Sequence, residues 1–161
     1  MKRLFVLFAV AFASHGALAG PPLSAADEVA AFKAAGFKKV GRQWRSPCDD
    51  PGTPSYSPGA VSESRDMNGD GRPDAILTEG GTYCYGMTGQ GYWLVSKQAS
   101  GAWALMASGT GMVTLLPTKG AGGWPDIEVG GPGFCFPVVR WNGKQYRHHR
   151  HQYDGKPCRP N

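Results

Sequence analysis

The rhythm of apolar and polar positions changes once along the chain. From Ser24 to Ala35 it has a helical period, with Val29 and Phe32 on one face. Ser24 is placed to cap the first turn, and Asp27 stands three residues on. Gly36 supplies the left-handed backbone that ends a helix, and Phe37 is placed to pack back on the last turn. The pattern predicts a helix over 25–35 that covers the open side of a sheet. From Ala60 onward the period shortens to that of strands. Expected strands are Val61–Arg65, Ala75–Thr78, Gly91–Ser96, Trp103–Ala107, Met112–Leu116, Ile127–Val129, Phe136–Trp141 and Gln145–His151. Asn142-Gly143 predicts a two-residue hairpin, because both positions tolerate the positive φ of a type I′ turn. Pro47–Gly59, rich in Pro, Ser, Gly and Asp, reads as an irregular loop tied down through Cys48.

One stretch of this pattern occurs twice. Pro73-Asp74-Ala75-Ile76-Leu77-Thr78-Glu79-Gly80-Gly81 leads to Tyr83-Cys84-Tyr85, and Pro125-Asp126-Ile127-Glu128-Val129-Gly130-Gly131 leads to Phe134-Cys135-Phe136. Each then enters an apolar strand, a glycine turn and an aromatic residue. The spacing suits a unit of three to four short strands, the size of a propeller blade. The expected fold is mainly β: a small sheet assembly of two blade-like repeats with one N-terminal helix.

The start of the chain bears on compartment. Lys2 and Arg3 precede the apolar run Leu4–Ala13, and Ala17-Leu18-Ala19 gives the small-x-small pattern of a signal peptidase site. A signal peptide over 1–19 and a single mature domain over 20–161 follow, in the periplasm or outside the cell. The mature part keeps 15 of the 17 basic residues against 12 acidic ones, a mild excess with no basic run. Nucleic acid is therefore not an expected partner, and no later segment is apolar enough to span a membrane. Cys48, Cys84, Cys135 and Cys158 all lie in the mature part and read as two disulfides. Their spacing leaves three pairings open. If the repeat holds, Cys84 and Cys135 occupy equivalent positions on adjacent units and are expected to face each other, leaving Cys48 to Cys158.

The strongest chemical signal is Asp66-Met67-Asn68-Gly69-Asp70-Gly71-Arg72-Pro73-Asp74. Asp66, Asn68, Asp70 and Asp74 stand at positions 1, 3, 5 and 9 of a calcium loop; Arg72, at position 7, offers its carbonyl, and Gly71, at position 6, permits the turn. Three carboxylates this close repel one another without a cation. Leu77 stands where a Glu at position 12 is usual, so another group or water completes the shell. The bland alternative is a loop whose Asp and Asn side chains bond only their own backbone.

This loop, followed by a strand, resembles the calcium loop of FG-GAP or VCBS-type repeats, the units of integrin-like β-propellers. The likeness covers Asp66 to about Trp103. The second unit keeps Trp124-Pro125-Asp126 without the other acidic ligands, and two units do not close a propeller. The resemblance therefore implies an open arrangement of blades with one bound Ca²⁺. More remotely, size, export and disulfides are similar to those of periplasmic lysozyme inhibitors and immunity proteins. Their S-G-x-x-Y loop has no counterpart at Ser100-Gly101-Ala102-Trp103-Ala104 or Ser108-Gly109-Thr110-Gly111-Met112.

Other groups carry less. His149 and His151 would share a strand face and bind a transition metal, but Arg147 and Arg150 favour a solvated basic strand that also holds His148. Asp126 and Glu128 imitate a carboxylate pair, yet Asp126 matches Asp74 of the first unit. Trp44, Trp93, Trp103, Trp124 and Trp141 are expected between the units and under the helix, or on a sugar- or protein-binding surface. No nucleophile stands in a G-x-S-x-G setting, and no catalytic role is expected. The expected function is calcium-stabilised binding of a protein partner in the cell envelope, with Gly86, Thr88, Gly89, Gln90 and Gly91 in the contact loop. A structural domain and a cell-wall hydrolase are the alternatives.

Overall fold

The computed structural model describes residues 22–160, so the expected signal segment lies outside the described residues. The helix forms as its caps dictate: α1 spans Ala25–Ala34, and the Ser24 hydroxyl accepts a hydrogen bond from the Asp27 N–H at 3.1 Å. Gly36 takes φ 85°, and Phe37 turns back edge-on to Phe32 at 5.2 Å between ring centroids. Eleven strands follow: β1 (Lys38–Val40), β2 (Gln43–Arg45), β3 (Ser57–Arg65), β4 (Asp74–Gly80), β5 (Gln90–Lys97), β6 (Trp103–Thr110), β7 (Met112–Lys119), β8 (Pro125–Gly130), β9 (Phe136–Trp141), β10 (Tyr146–Tyr153) and β11 (Lys156–Pro157). A one-turn helix α2 (Thr82–Tyr85) and a 3₁₀ turn at Gly86–Thr88 link β4 to β5.

The strands make two antiparallel sheets, ordered β1-β2-β3-β4-β5-β6 and β11-β10-β9-β8-β7. Each contains a four-stranded meander, β3–β6 in one and β7–β10 in the other. The repeated Pro-Asp motif opens the second strand of both, and the repeated cysteine falls in both following loops. The expected mainly β architecture of two blade-like units with one N-terminal helix is therefore the one observed.

Alternation along the strands sorts the side chains into layers. Ala75, Leu77 and Val95 face α1 and pack with Phe32, Phe37, Trp44 and Trp103. Ile76 and Leu94 point the other way, into a second core with Met67, Trp124 and Ile127 that joins the two sheets. The order is helix, first sheet, second sheet. Phe32, Leu77, Leu94, Ile127, Val95 and Val138 are fully buried, each contributing about 1.5–3 kcal/mol. The five Trp residues line the helix side and the seam, except that Trp93 and Trp141 are only half-buried. Asp27 holds the helix down from its first turn, taking the Lys97 ammonium at 2.7 Å and the Trp103 N–H at 3.0 Å. Those two hydrogen bonds lower its carboxyl to about 2.

Two expectations are corrected. The disulfides are Cys48–Cys84 and Cys135–Cys158, with Cα separations of 6.0 and 5.9 Å. Equivalent points on stacked sheets lie about 10 Å apart, too far for one bridge, so Cys84 and Cys135 do not meet. Each bridge instead ties the loop after the second strand of its own unit to the chain segment flanking that unit. In the loop-entropy account each closes a segment worth about 3–4 kcal/mol. The Asn142-Gly143 hairpin is also longer than expected. Trp141 pairs with Tyr146 across four residues, because the Asn142 side chain accepts the N–H groups of Lys144 and Gln145 at 2.9 and 3.0 Å. The short β1–β2 hairpin, α2 and β11 have no clear signal in the sequence.

The chain passes from one sheet to the other at Gly111, between β6 and β7. Gly111 has φ 149°, and a Cβ there would stand 2.3 Å from Val129 Cγ1. Gly111→Ala should lower stability by roughly 1–3 kcal/mol in urea denaturation of the oxidised protein. Non-reducing peptide mapping should find Cys48 joined to Cys84; a Cys84–Cys135 peptide would contradict the topology described.

Candidate metal centre

Burying a carboxylate is costly unless hydrogen bonds or a cation meet it. Among the described residues four carboxylates are buried: Asp50, Asp74, Glu79 and Asp126. Asp50 accepts the N–H groups of Gly52 and Thr53, both at 2.8 Å, and the Thr53 hydroxyl at 2.9 Å. Glu79 accepts the Ser46 N–H at 2.9 Å, the Tyr56 hydroxyl at 3.1 Å, and the hydroxyls of Ser46 and Tyr85. Asp126 is gripped by the Arg140 guanidinium through two 2.8 Å bonds, by Arg150 at 3.1 Å and by the Thr118 hydroxyl at 2.6 Å. Asp74 is the exception. Its Oδ2 takes the Met67 N–H at 2.8 Å, and its Oδ1 has no partner; among the described residues it is the buried side-chain oxygen left without one.

The contrast is informative because Asp74 and Asp126 hold the same place in the two units. Counting back from each aspartate, Thr118 matches Asp66 and Trp124 matches Arg72. In the second unit, two guanidinium groups neutralise the aspartate, and Arg140 above all holds its carboxyl far below the usual range. In the first unit no cationic side chain among the described residues bonds Asp74. Burial pushes the Asp74 carboxyl up, and the charges of Asp70 and Asp66 push the same way. The Ser96 hydroxyl opposes this most, although it makes no bond of ordinary hydrogen-bond geometry to Oδ1, and the Met67 N–H opposes it as well.

The rest of the predicted loop leads up to Asp74, whose Oδ2 accepts the Met67 N–H from within it. Gly69 and Gly71 take φ 83° and 81°, the left-handed values that fold the loop on itself. Asp66 accepts the N–H groups of Gly69, Asp70 and Gly71 at 2.7, 3.1 and 2.8 Å. Burial alone would raise the Asp66 carboxyl, and these N–H groups outweigh it. Asp70 takes the Arg72 N–H at 2.9 Å and its guanidinium at 2.6 Å, and the Asn68 amide at 2.9 Å. Asp66, Asn68, Asp70, Arg72 and Asp74 are thus in one loop, with the first four bonding largely to the loop itself. Among the described residues no three His, Cys, Asp or Glu side chains converge as a ready-made metal cage. The loop fits a hard cation through the unpaired oxygen of Asp74 and the remaining lone pairs of Asp66, Asn68 and Asp70. It also touches the second unit: a Cβ on Gly123 would stand 2.4 Å from the Asn68 carbonyl oxygen.

The other candidate residues fall elsewhere. Asp126 and Glu128 share the outer face of the second sheet, but Arg140 and Arg150 hold Asp126, and Gln152 donates to Glu128 at 2.7 Å. They are a structural network with no facing carboxylate across a cleft. Arg140 and Arg150, which define the contrast with Asp74, carry no sequence signal beyond their position on strands. Comparison of the chain with protein-family models, with curated proteins and with solved structures returns no match.

The two aspartates should respond oppositely to amidation. Asp74 has a folded value above the ordinary 3.8, so its favourable contribution exists at low pH and is lost as pH rises through that value. In chelator near about pH 7, Asp74→Asn should match or exceed the unaltered protein in stability. Asp126 is depressed, so its contribution is present above the ordinary value, and Asp126→Asn should cost roughly 3 kcal/mol at the same pH. Denaturant melts of the two variants read the difference.

Proposed function

We propose that this is an exported, calcium-stabilised binding protein whose disulfide-braced loop end engages a protein partner in the cell envelope. The observation that carries the calcium assignment is Asp74. It is a buried carboxylate with an unpaired oxygen, in a loop of calcium spacing, where its counterpart Asp126 has two arginines. Ca²⁺ held by Asp66, Asn68, Asp70, the Arg72 carbonyl and Asp74 supplies the missing positive charge. The loop leads into central strand β4 and abuts Gly123, so occupancy couples the two sheets.

Two disulfides suit an oxidising compartment, and among the described residues no helix is long and apolar enough to cross a membrane. The partner assignment rests on the loops those disulfides brace. Tyr83 and Met87, beside Cys84, are 65% and 91% exposed, and Phe134, beside Cys135, is 76% exposed. Phe134 stacks edge-on to Tyr153 at 5.6 Å. The two loops meet where the Thr88 hydroxyl lies 3.5 Å from the place a side chain on Gly131 would begin. Aromatic and Met side chains held on rigid loops lose little entropy on contact and are enriched at the centres of protein interfaces.

Calorimetric titration tests the metal. The unaltered protein should take one equivalent of Ca²⁺, and a hundredfold excess over Kd should add about 2.7 kcal/mol of stability. Asp74→Asn should abolish both effects; unchanged calcium binding in that variant would refute the assignment. For the partner, Met87→Ala with Phe134→Ala should release whatever envelope protein the unaltered domain retains on a column, with no change in melting temperature. Equal retention by the double variant would remove the loop end from the interface.

A further inference from the structure

The histidines of β10 do not arrange themselves as strict alternation requires. The register of β10 against β9 slips between His148 and Arg150, which makes His149 a bulged residue. The slip moves His148 opposite Val139 and His151 opposite Pro137, on one face of the sheet. Their rings approach to 4.5 Å between centroids, and His148 Nε2 lies 3.1 Å from His151 Nδ1. The sequence pairs His149 with His151; the structure pairs His148 with His151.

The same slip removes the electrostatic objection to a cation. Arg147 pairs with Arg140, and Arg140 and Arg150 both bond Asp126, so these arginines lie on the opposite face of the sheet. Arg150 also donates to Gln152 at 2.9 Å. The charge nearest in sequence is thus turned away and partly neutralised.

We infer that His148 and His151 form a bidentate site for a divalent transition metal, Cu²⁺ foremost, separate from the calcium loop. Two metal–imidazole bonds of about 2.0–2.1 Å, at an angle between about 90° and 110°, separate their nitrogens by about 2.8–3.4 Å. The observed 3.1 Å falls inside that window. In the metal-free protein one ring N–H bridges to the other ring; the metal replaces that proton. Imidazole suits Cu, Zn and Ni, and among these Cu²⁺ binds such donors most tightly. His148 is exposed and His151 half-buried, so water has access to the remaining coordination positions.

The experiment is titration of Cu²⁺ into the untagged, calcium-loaded mature protein at about pH 7.5, because metal binding competes with protons for its ligands. Electron paramagnetic resonance should report one site with two equatorial imidazole nitrogens. His148→Asn and His151→Asn should each weaken binding on the order of a hundredfold, because each breaks the chelate. His149→Asn should bind as the unaltered protein does. All three positions are at the surface or half-buried, and circular dichroism confirms that each variant is folded. Copper binding that survives both substitutions, that falls equally in His149→Asn, or that is absent from the unaltered protein overturns the assignment.

Discussion

A carboxylate at the start of a central strand has nowhere to put its charge except into its neighbours. β4 is buried on both faces for most of its length, so the side chain that opens it has no water to rely on. The fold meets this constraint twice, in two ways. At Asp126 the answer is covalently present, in the guanidinium groups of Arg140 and Arg150. At Asp74 the protein supplies one backbone N–H and the nearby Ser96 hydroxyl, and it leaves Oδ1 without a hydrogen bond of ordinary geometry. The loop that ends at this residue carries further oxygen donors, and the Ca²⁺ proposed above would supply the charge that the protein does not.

The two units also differ in how they close their open faces. The first unit is covered by α1 on one side and by the second unit on the other. Among the described residues no further unit packs on the second one, and its outer face carries Thr118, Asp126, Glu128, Arg140, Arg150 and Gln152 in one bonded network. Asp74 faces the seam, on the side of Ile76, whereas Asp126 faces outward, on the side of Glu128. Repetition of one unit thus yields a buried, uncompensated site inside and an arginine-filled one outside. The disulfides follow the same logic, bracing each unit within itself and leaving the apolar seam to join the two.

Much of this was legible in the chain. The Ser24 cap, the Gly36 stop and most strands follow from local periodicity, and the duplicated Pro-Asp pattern gave the two meanders. The turn at residues 66–74 was legible because its glycines and the Asp66 side chain that bonds their N–H groups are local in sequence. What could not be read depended on distance in space. The disulfide pairing turns on the separation of stacked sheets. Asn142 closes a four-residue loop with its side chain, which a rule for two-residue turns misses. The bulge at His149, which decides which histidines meet, is a register shift against β9 with no local signature. The role of Arg140 and Arg150 appears only when β9 and β10 are laid beside β8.

Whether Ca²⁺ fills the gap at Asp74 is read most directly from a crystal structure of the mature protein grown in calcium, with anomalous scattering data. A single anomalous peak is expected about 2.3–2.6 Å from Asp74 Oδ1, with oxygen atoms of Asp66, Asn68, Asp70 and the Arg72 carbonyl around it. An ordered Asp74 whose Oδ1 is instead bonded to protein or to a buried water, with no peak in the loop, would contradict it.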